Sequence, residues 1–454
     1  MAATMISLDP AERDPLACPG AAAELPGLPA ALDEATMASL LGRTLHPGGH
    51  RIALCRVRSI RYLPGRGCVV RYDAVTGADT TVTVTARVHP SAAAARREHA
   101  DRLRPLAHRL GAPGTIAVLP GLRATVSVYP IDAGLPTLLD ATDRARAGPL
   151  LADSFGRRPL SLEVTTHRYR GADRVMLRYD EGGRTLAYGK VAADDRGEHA
   201  NAALTAAARV LALLPADRRF DVPRPLGYAP PLRLQLLGVV PGAPVLSDLL
   251  RGCARGAAPP APALSAAVAG CAEVAAALHG LALPPAGRRS AEGEIERLHS
   301  EIASVARIAP SLGGWLENRL AGAAAELSAS APLAARPSHG DLKHNQILFD
   351  GRRWALVDFD TVCLAEPALD LGNFLAYLRL KATGAGEPCL ASRLADEFLD
   401  VYADAAATGA ASAELRERVH GYETLSLLGR AVHSWQKRKP RRLEAIARLL
   451  EGPT

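Results

Sequence analysis

The pattern of hydrophobic and polar positions is typical of β-strands along two separate stretches of the chain and of helices beyond them. The first stretch begins near Arg51. Its predicted elements are strands over 56–62, 68–73 and 80–88, a helix over 92–110 and two more short strands. From Ser161 the same order returns, and beyond Leu246 the pattern predicts a mainly helical C-terminal part. Residues 1–45, rich in Ala and Pro with a short helix predicted over 32–41, could form either an ordered arm or a loose tail.

Within the helical part, one short segment has strand character. Ile347–Phe349 form a brief apolar run, 350–351 is an Asp-Gly turn of the kind that hairpins favour, and 354–357 return as a second strand. A hairpin brings its two ends together, so residues 339–341 (His-Gly-Asp) and Asp358 should be neighbours. The flanking predicted helices lie over 264–279, 292–308, 312–328, 368–380, 390–407, 414–437 and 441–451.

The two β-rich stretches also share residues. Segments 62–73 (YLPGRGCVVRYD) and 169–180 (YRGADRVMLRYD) align without a gap, with Tyr at the start and Arg-Tyr-Asp at the end. The parallel continues beyond, because 85–88 (TARV) corresponds to 188–191 (YGKV). We interpret this as an internal duplication. The alternative is that any two β-hairpins ending in Arg-Tyr look alike.

Length and charge narrow the class of protein. The chain has 454 residues, 48% of them hydrophobic, enough for two or three cores. The net charge of +7 is spread along the chain rather than gathered in one tract, so we expect no nucleic-acid partner. Residues 437–442 form the single basic cluster, which we interpret as a solvated helix end, with polyanion binding as the alternative.

The cysteines and the apolar runs bear on location. Seven scattered cysteines show no metal-ligand spacing and suit a reducing compartment. The N-terminus has early acidic residues and no apolar core of a signal peptide, and the longest apolar run, near 266–283, is interrupted by Glu273 and His279. We therefore expect a cytoplasmic protein without a membrane partner, as a monomer or homodimer.

The hairpin ends carry a set of groups suited to phosphoryl transfer. Asp341 and Lys343 precede the hairpin, Gln346 opens it and Asp358 follows it, so two acids, an amide and an ammonium converge. Phosphoryl transfer needs an acid near the attacking hydroxyl, a cation near the γ-phosphate and oxygen ligands for Mg²⁺.

These motifs resemble a known family. HGDLKHNQ at 339–346 resembles the kinase catalytic loop HRDxxxxN, and VDFD at 357–360 resembles the metal-binding DFG segment. The HGD form, together with AEPALDLGNFL at 365–375, is similar to the aminoglycoside phosphotransferase and choline kinase-like family. The resemblance implies an α+β, bilobal, protein-kinase-like fold, with a β-rich N-lobe, a mainly helical C-lobe and here an extra N-terminal, N-lobe-like cap.

The family pattern gives roles to residues before the hairpin. Asp341 corresponds to the catalytic acid that orients or deprotonates the acceptor hydroxyl, and Lys343 lies where protein kinases place a γ-phosphate contact. His339 would brace the loop. Asp370, at the start of the next helix, would be a buried structural acid rather than a catalyst.

The family pattern also implies a Mg²⁺ site, with one departure. Asp358 would be the chief ligand and Asp360 a further one. Where the family usually has Asn, this chain has Gln346, and Asn345 stands one residue earlier. Gln offers the same carbonyl oxygen on a longer stem, so either residue could be the ligand. The maltokinase and glucosamine kinase branch also carries Gln here, although its residues after the metal Asp are not reproduced in DFDTVCLAEP.

On the N-lobe side, the resemblance implies ATP contacts from the second copy. Lys190, on its third strand, corresponds to the ammonium that meets the α- and β-phosphates, and the first copy has Arg87 instead. Glu198 is the nearest candidate acid partner for Lys190. The loop with Arg170 and Gly171 would cover the triphosphate, and the adenine hinge should lie near 236–240.

Together these expectations give a domain plan and a function. We expect an arm over 1–45, a degenerate N-lobe-like cap over 46–150, the N-lobe over 151–245 and the C-lobe over 246–454. The function implied is transfer of the γ-phosphate of ATP, with Mg²⁺, to a hydroxyl of a small molecule, most readily a sugar or amino sugar. The alternatives are a catalytically silent nucleotide-binding scaffold and an aminoglycoside-modifying kinase. A protein kinase is a third alternative, but the sequence does not support it, because no activation segment ending in APE appears before Asp370. The acids available at the acceptor site are Glu292, Glu294, Glu296, Glu301, Glu366, Asp370 and Glu423, and the sequence leaves open which face inward.

Overall fold

The protein was analysed as a computed structural model. It describes residues 10–169, 173–215, 219–256, 261–284, 287–383, 388–406 and 412–451.

The N-terminal arm is ordered and helical. It contains α1 (Pro19–Glu24), α2 (Leu28–Leu32) and α3 (Glu34–Thr44). Asp33 caps α3, because its side chain accepts a hydrogen bond from the backbone N–H of Thr36 at 2.7 Å. Leu25, Met37 and Leu41 are fully buried. Of the two expectations for this segment, the structure bears out the ordered arm over residues 10–45.

The first β-rich stretch folds as one antiparallel sheet. Its strands are β1 (Ile52–Leu63), β2 (Gly67–Thr76), β3 (Thr81–Val88), β4 (Ile116–Leu119) and β5 (Ala124–Val128), in the spatial order β1-β2-β3-β5-β4. Between β3 and β4 lie α4 (Ala92–Glu98), a π-helical turn (His99–Leu103) and α5 (Arg104–Leu110). The fully buried side chains of Val70, Tyr72 and Val84 fix which face of the sheet meets the core.

The link to the second stretch is helical. It contains α6 (Leu138–Thr142) and α7 (Arg144–Phe155). Asp143 caps α7 by accepting from the backbone N–H of Ala145 at 2.9 Å, and the helix accommodates Pro149 in its interior. A proline in this position removes one helical hydrogen bond, so sequence pattern alone did not predict a helix here.

The second β-rich stretch forms a sheet with the same strand order as the first. Its elements are β6 (Leu162–Arg168), β7 (Arg174–Glu181), β8 (Arg184–Ala192), α8 (Arg196–Leu213), β9 (Pro225–Ala229) and β10 (Leu234–Leu237), with the spatial order β6-β7-β8-β10-β9. In both sheets the helical segment follows the third strand. This common topology supports the interpretation of an internal duplication.

The C-terminal part is mainly helical. Its elements are α9 (Val245–Cys253), α10 (Ala261–His279), α11 (Ala291–Ala306), α12 (Pro310–Ala329), β11 (Arg336–Ser338), β12 (Ile347–Phe349), β13 (Trp354–Leu356), β14 (Cys363–Ala365), α13 (Pro367–Thr383), α14 (Pro388–Ala405), α15 (Ser412–Gln436) and α16 (Pro440–Glu451). Phe374 of α13 stacks on Phe398 of α14 with ring centroids 4.1 Å apart, and both are fully buried. Sheets followed by this helical part confirm the expected α+β, protein-kinase-like fold.

The predicted hairpin is present, but its turn is longer than expected. Phe349 pairs with Trp354, so four residues, 350–353, connect β12 to β13. The side chain of Asp350 accepts hydrogen bonds from the backbone N–H groups of Arg352 and Arg353, both at 2.8 Å. The expected two-residue Asp-Gly turn was therefore wrong, because the Asp side chain organises a wider loop.

The arm and the first sheet also pack against the last helices. The rings of Tyr62 in β1 and Trp435 in α15 lie 5.7 Å apart, and the indole N–H of Trp435 donates to the backbone oxygen of Glu12 at 2.9 Å. Arg438 forms an ion pair with Asp14 at 2.6 Å. The arm and the first sheet are thus joined to the C-terminal part by side-chain contacts. Within the described residues, no helix combines the length and apolarity needed to cross a membrane.

Candidate active site

The loop before the hairpin is held by a buried carboxylate. Asp370, in the first turn of α13, is fully buried and accepts hydrogen bonds from the backbone N–H groups of His339 at 2.5 Å and Gly340 at 2.8 Å. Gly340 has a φ of 78°, and a Cβ there would lie 2.2 Å from the carbonyl oxygen of Thr361. Only glycine fits that approach without strain. The geometry agrees with the structural role expected of Asp370.

His339 ties this loop to the strand that precedes Asp358. Its Nε2 lies 3.1 Å from the backbone oxygen of Val357, and the Thr361 hydroxyl donates to the backbone oxygen of His339 at 2.9 Å. These contacts hold the two loops at the hairpin ends against each other, as the sequence led us to expect for His339.

Asp341 lies on the wall of a cavity of about 710 Å³. Its carboxylate forms an ion pair with Lys343 and is 35% exposed. Asn373 of α13 donates to the backbone oxygen of Leu342 at 2.7 Å and approaches the Asp341 carboxylate at 3.5 Å. Lys343 lies 5.3 Å from the centre of the Tyr377 ring. Asp341 is therefore held in place and still open to a ligand in the cavity.

The structure brings Lys190 to the second group of acids. The ammonium of Lys190 on β8 lies 2.5 Å from Asp358 Oδ1 and 2.6 Å from Asp360 Oδ1. Asp358 adopts a left-handed backbone conformation, with φ of 78°, which is uncommon for a non-glycine residue and concentrates at functional sites. Burial alone would raise the pKa of Asp358, but the charge and hydrogen bond of Lys190 and the charge of Arg174 hold it well below its usual value.

Arg174 lies between the pair of acids Asp358 and Asp360 and the cavity that contains Asp341. At the start of β7, its guanidinium forms an ion pair with Asp360 at 2.9 Å and lines the same cavity as Asp341. Burial would lower the pKa of Arg174, but the charges of Asp358, Asp360 and Asp341 raise it. Arg174 therefore links the pair of acids Asp358 and Asp360 to the cavity that Asp341 lines.

Gln346, rather than Asn345, lies beside Asp358. The Gln346 amide donates to Asp358 Oδ2 at 3.2 Å, and its Oε1 is buried without a hydrogen-bond partner. Asn345 is exposed. In the described part of the chain, no group of three or more His, Cys, Asp or Glu side chains has the geometry of a metal site. The oxygen donors available for a hard cation are two carboxylates, Asp358 and Asp360, and the orphan amide oxygen of Gln346.

The sequence predicted an acid partner for Lys190 and a loop over the triphosphate. Glu198, in the first turn of α8, is exposed, and within the described residues Lys190 forms its ion pairs with Asp358 and Asp360 instead. The pairing with Glu198 was therefore wrong in this structure, because α8 turns Gly197 and Ala200 inward and Glu198 outward. Arg170 and Gly171 lie outside the described residues.

The acids whose orientation the sequence left open now divide into two groups. Glu294 and Glu301 line the cavity beside Asp341. Glu366 is buried and bound by Arg418, and Glu423 is buried and bound by Arg379 at 2.9 Å. Glu292 and Glu296 are exposed and do not line the cavity, so Glu294 and Glu301 are the candidates among the seven acids for a contribution to an acceptor site.

Sequence reasoning missed further residues of the cavity. Arg289 donates to the backbone oxygen of Gly340 at 2.6 Å, and Arg430 donates to Asn373 Oδ1 at 2.5 Å. The guanidinium of Arg430 lies 3.4 Å from the centre of the Tyr377 ring. Asn373 stood within the quoted DLGNFL motif and so carried a signal, whereas the two arginines are remote in sequence from any motif.

Comparisons with known proteins extend this picture. The model of the phosphotransferase enzyme family matches residues 170–422. No curated protein matches the sequence. Among solved structures, an aminoglycoside phosphotransferase from Streptomyces rimosus in complex with ADP and streptomycin is similar at 21% identity, over 63% of this chain and 98% of that one, with a TM-score of 0.40. A choline/ethanolamine kinase family protein from Mesorhizobium loti is similar at 18% identity, over 61% of this chain and 85% of that one, with a TM-score of 0.43.

A third similar structure is the GDP and kanamycin complex of an aminoglycoside phosphotransferase, at 13% identity, over 68% of this chain and 98% of that one, with a TM-score of 0.48. The family match is the stronger finding, because it covers more than half of the 454 residues and includes Lys190, Asp341 and Asp358. The chain therefore belongs to the phosphotransferase enzyme family, and it is a small-molecule phosphotransferase.

Proposed function

We propose that the protein transfers the γ-phosphate of ATP to a hydroxyl group of a small molecule, and that a sugar is the acceptor class. The observation that carries this proposal is the ion-paired cluster of Lys190, Asp358 and Asp360, which Arg174 connects to the cavity that Asp341 lines. An ammonium, metal-binding oxygens and an acid beside open space are the parts that phosphoryl transfer requires.

On the nucleotide side, Lys190 and Arg174 would neutralise the triphosphate. Both cations now lie against the carboxylates of Asp358 and Asp360. Asp358, Asp360 and the Oε1 of Gln346 would hold Mg²⁺, which supplies charge neutralisation between the β- and γ-phosphates. The buried, unpartnered Oε1 of Gln346 supports this assignment, because such an atom is expected to have a partner.

On the acceptor side, Asp341 would accept the hydrogen bond of the attacking hydroxyl and hold it in line with the γ-phosphate. Lys343, paired with Asp341, would move its charge toward the transferred group. Catalysis of this kind rests on positioning and electrostatic stabilisation rather than on a covalent intermediate.

The test is acceptor-dependent release of ADP from ATP and Mg²⁺ in a panel of sugars, sugar acids, sugar phosphates and aminoglycosides. Asp341→Asn should lower kcat by about 10² to 10⁴-fold, the range for loss of a general acid or base, while ATP still shifts the melting temperature. Asp350→Asn is the matched control, because Asp350 is exposed in the hairpin loop. A kcat of Asp341→Asn close to the wild-type value would refute this role. ATP binding by the wild type without turnover of any acceptor would favour a silent scaffold.

A further inference from the structure

The cavity beside Asp341 is strongly positive. Arginine and lysine side chains outnumber carboxylates on its wall by nine to three. Part of this charge comes from Lys437 and Arg442, in the cluster 437–442 that was expected to be a solvated helix end. The structure places Lys437, Lys439 and Arg442 of that cluster on the cavity wall, where their charge acts on a bound ligand rather than on bulk solvent alone.

The three carboxylates of the cavity are already neutralised. Their ion pairs are Lys343 with Asp341, Arg289 with Glu294 at 2.7 Å, and Arg297 with both Glu294 at 3.0 Å and Glu301 at 2.8 Å. An acceptor that carries ammonium groups would therefore have to displace an arginine or lysine to reach a carboxylate.

Three cations of the cavity are not neutralised by an ion pair with a described acid. Arg430, Lys437 and Arg442 form no ion pair with any acid in the part of the chain that the structure describes. The Nε of Arg430 is buried without a hydrogen-bond partner. Partial burial, followed by the positive charges of Arg61 and its other basic neighbours, lowers the pKa of Lys437 to about 8. Among the described residues, these three cations therefore have no carboxylate within ion-pairing distance.

These cations lie on the acceptor side of the cleft. They belong to α15, α16 and the turn between them, whereas Lys190 belongs to β8. Arg430 and the Asp341 loop are joined through one side chain, because Asn373 accepts from Arg430 at 2.5 Å and donates to the Leu342 carbonyl at 2.7 Å. A group bound by Arg430 would therefore sit within one small molecule's length of Asp341.

We propose that the acceptor carries a negatively charged group, a phosphate monoester or a carboxylate, which Arg430, Lys437 and Arg442 bind while its hydroxyl faces Asp341. This inference rests on the proposed function and specifies its substrate class as a hydroxylated anion, such as a sugar phosphate or sugar acid. Arginine and lysine are the side chains that bind phosphate and carboxylate groups most strongly, through charge-assisted hydrogen bonds. The same charge opposes polycationic acceptors such as aminoglycosides.

The test measures binding without turnover. Isothermal titration calorimetry of the 454-residue chain, with Mg²⁺ and a non-hydrolysable ATP analogue present, measures the affinity for each acceptor. Glucose is compared with glucose 6-phosphate and gluconate, and glycerol is compared with glycerol 3-phosphate. Kanamycin and inorganic phosphate are titrated alongside them. At least one anion should bind about tenfold or more tightly than its neutral counterpart, the difference expected of one charge-assisted hydrogen bond. The phosphate and carboxylate arms distinguish the two anionic groups.

Variants locate the effect. Lys437→Gln with Arg442→Gln should remove the preference for the anion and leave the affinity for the ATP analogue unchanged. Arg448→Gln is the matched control, because Arg448 is exposed on the same helix as Arg442 and lies outside the cavity wall. The inference is overturned if no anion binds, if glucose or kanamycin binds more tightly, or if the double variant weakens only the ATP analogue. Asp341→Asn should still bind the anion, so loss of turnover and loss of anion binding are separate outcomes.

Discussion

Arg87 and Lys190 occupy equivalent positions on the third strands of the two sheets. Their cross-strand neighbours are Val69 and Thr125 for Arg87, and Met176 and Gln235 for Lys190. Their acid partners differ. Lys190 reaches across the cleft to Asp358, whereas Arg87 forms an ion pair at 2.9 Å with Asp132, a fully buried acid just beyond its own sheet. The cation of the first sheet is thus neutralised by an acid next to its own sheet, whereas the cation of the second sheet is neutralised by acids of the C-terminal part.

Asp132→Asn should strongly destabilise the protein. The Asp132 carboxylate neutralises Arg87 and the buried Arg71, and it accepts hydrogen bonds from the Tyr169 hydroxyl and the Gly134 N–H. Breaking a buried pair from one side leaves uncompensated charge, at a cost of about 3–5 kcal/mol in the free energy of unfolding. Urea unfolding followed by circular dichroism measures the change.

The control for this variant is Asp73→Asn in the same sheet. Asp73 pairs with Arg58 at 3.1 Å, and both side chains are about half exposed. A surface pair of this kind contributes less than about 1 kcal/mol. Equal effects of the two substitutions would mean that the buried cluster contributes no more than a surface ion pair.

The common strand order of the two sheets could be predicted from the sequence because its signals are local. The alignment of 62–73 with 169–180 places Val69 opposite Met176, and these residues pair with Arg87 and Lys190 in the structure. Strand period and turn residues fix such a register within a few positions. The resemblance to the kinase motifs likewise led us to expect Lys190 near Asp358, and their side chains form an ion pair at 2.5 Å.

Features that depend on the rotation or packing of helices could not be predicted from the sequence. The rotation of α8 decides that Glu198 faces outward, and an alanine-rich helix has no strong apolar stripe from which that rotation could be read. Whether 437–442 is solvated or lines a cavity depends on how α15 and α16 pack over α13. Such contacts join residues far apart in sequence, and no local pattern encodes them.

Lys190→Met should raise the pKa of Asp358. In the wild type the ammonium opposes the effect of burial and keeps the pKa of Asp358 below its usual value. Without it the folded protein holds an ionised carboxylate less favourably, and protonation relieves that penalty. The stability deficit of the variant should thus be largest at pH 7 and shrink as the pH falls toward about 4, the ordinary pKa of aspartate.

The measurement is the free energy of unfolding of both proteins in urea at several pH values between 7 and 4. Arg184→Met provides the control, because Arg184 is an exposed residue of the same strand. A Lys190→Met deficit that stays constant or grows as the pH falls would show that Lys190 does not hold Asp358 ionised.

Asp370→Asn should impair turnover through the position of the catalytic loop. The carboxylate accepts from two backbone N–H groups, those of His339 and Gly340, and an amide keeps only one oxygen to replace them. One buried donor left unsatisfied costs about 1–3 kcal/mol of stability. We expect a lower kcat with nearly unchanged affinity for the ATP analogue, because Lys190 and Asp358 lie outside this contact. Steady-state kinetics together with calorimetry separate the two quantities.

The matched control for Asp370→Asn is Asp396→Asn. Asp396 lies on α14, where it forms a surface ion pair with Arg416 at 3.3 Å and is 64% exposed. It should leave both kcat and stability close to the wild-type values. If Asp370→Asn loses stability but keeps its kcat, the carboxylate supports the fold without positioning Asp341.

Gln346→Ala should raise the Mg²⁺ concentration needed for half-maximal turnover. The Oε1 of Gln346 is buried without a partner, and the amide nitrogen of the same side chain donates to Asp358 Oδ2. Removing one oxygen ligand or its neighbour typically weakens metal affinity by about 10 to 100-fold. Asn345→Ala is the control, since Asn345 is exposed one residue earlier. The measurement is ADP release as a function of Mg²⁺ at saturating ATP. If Asn345→Ala raises the Mg²⁺ concentration for half-maximal turnover more than Gln346→Ala does, Asn345 is the metal ligand instead. The reason is that, at constant nucleotide, we expect the residue that contacts the ion to have the larger effect on its apparent affinity.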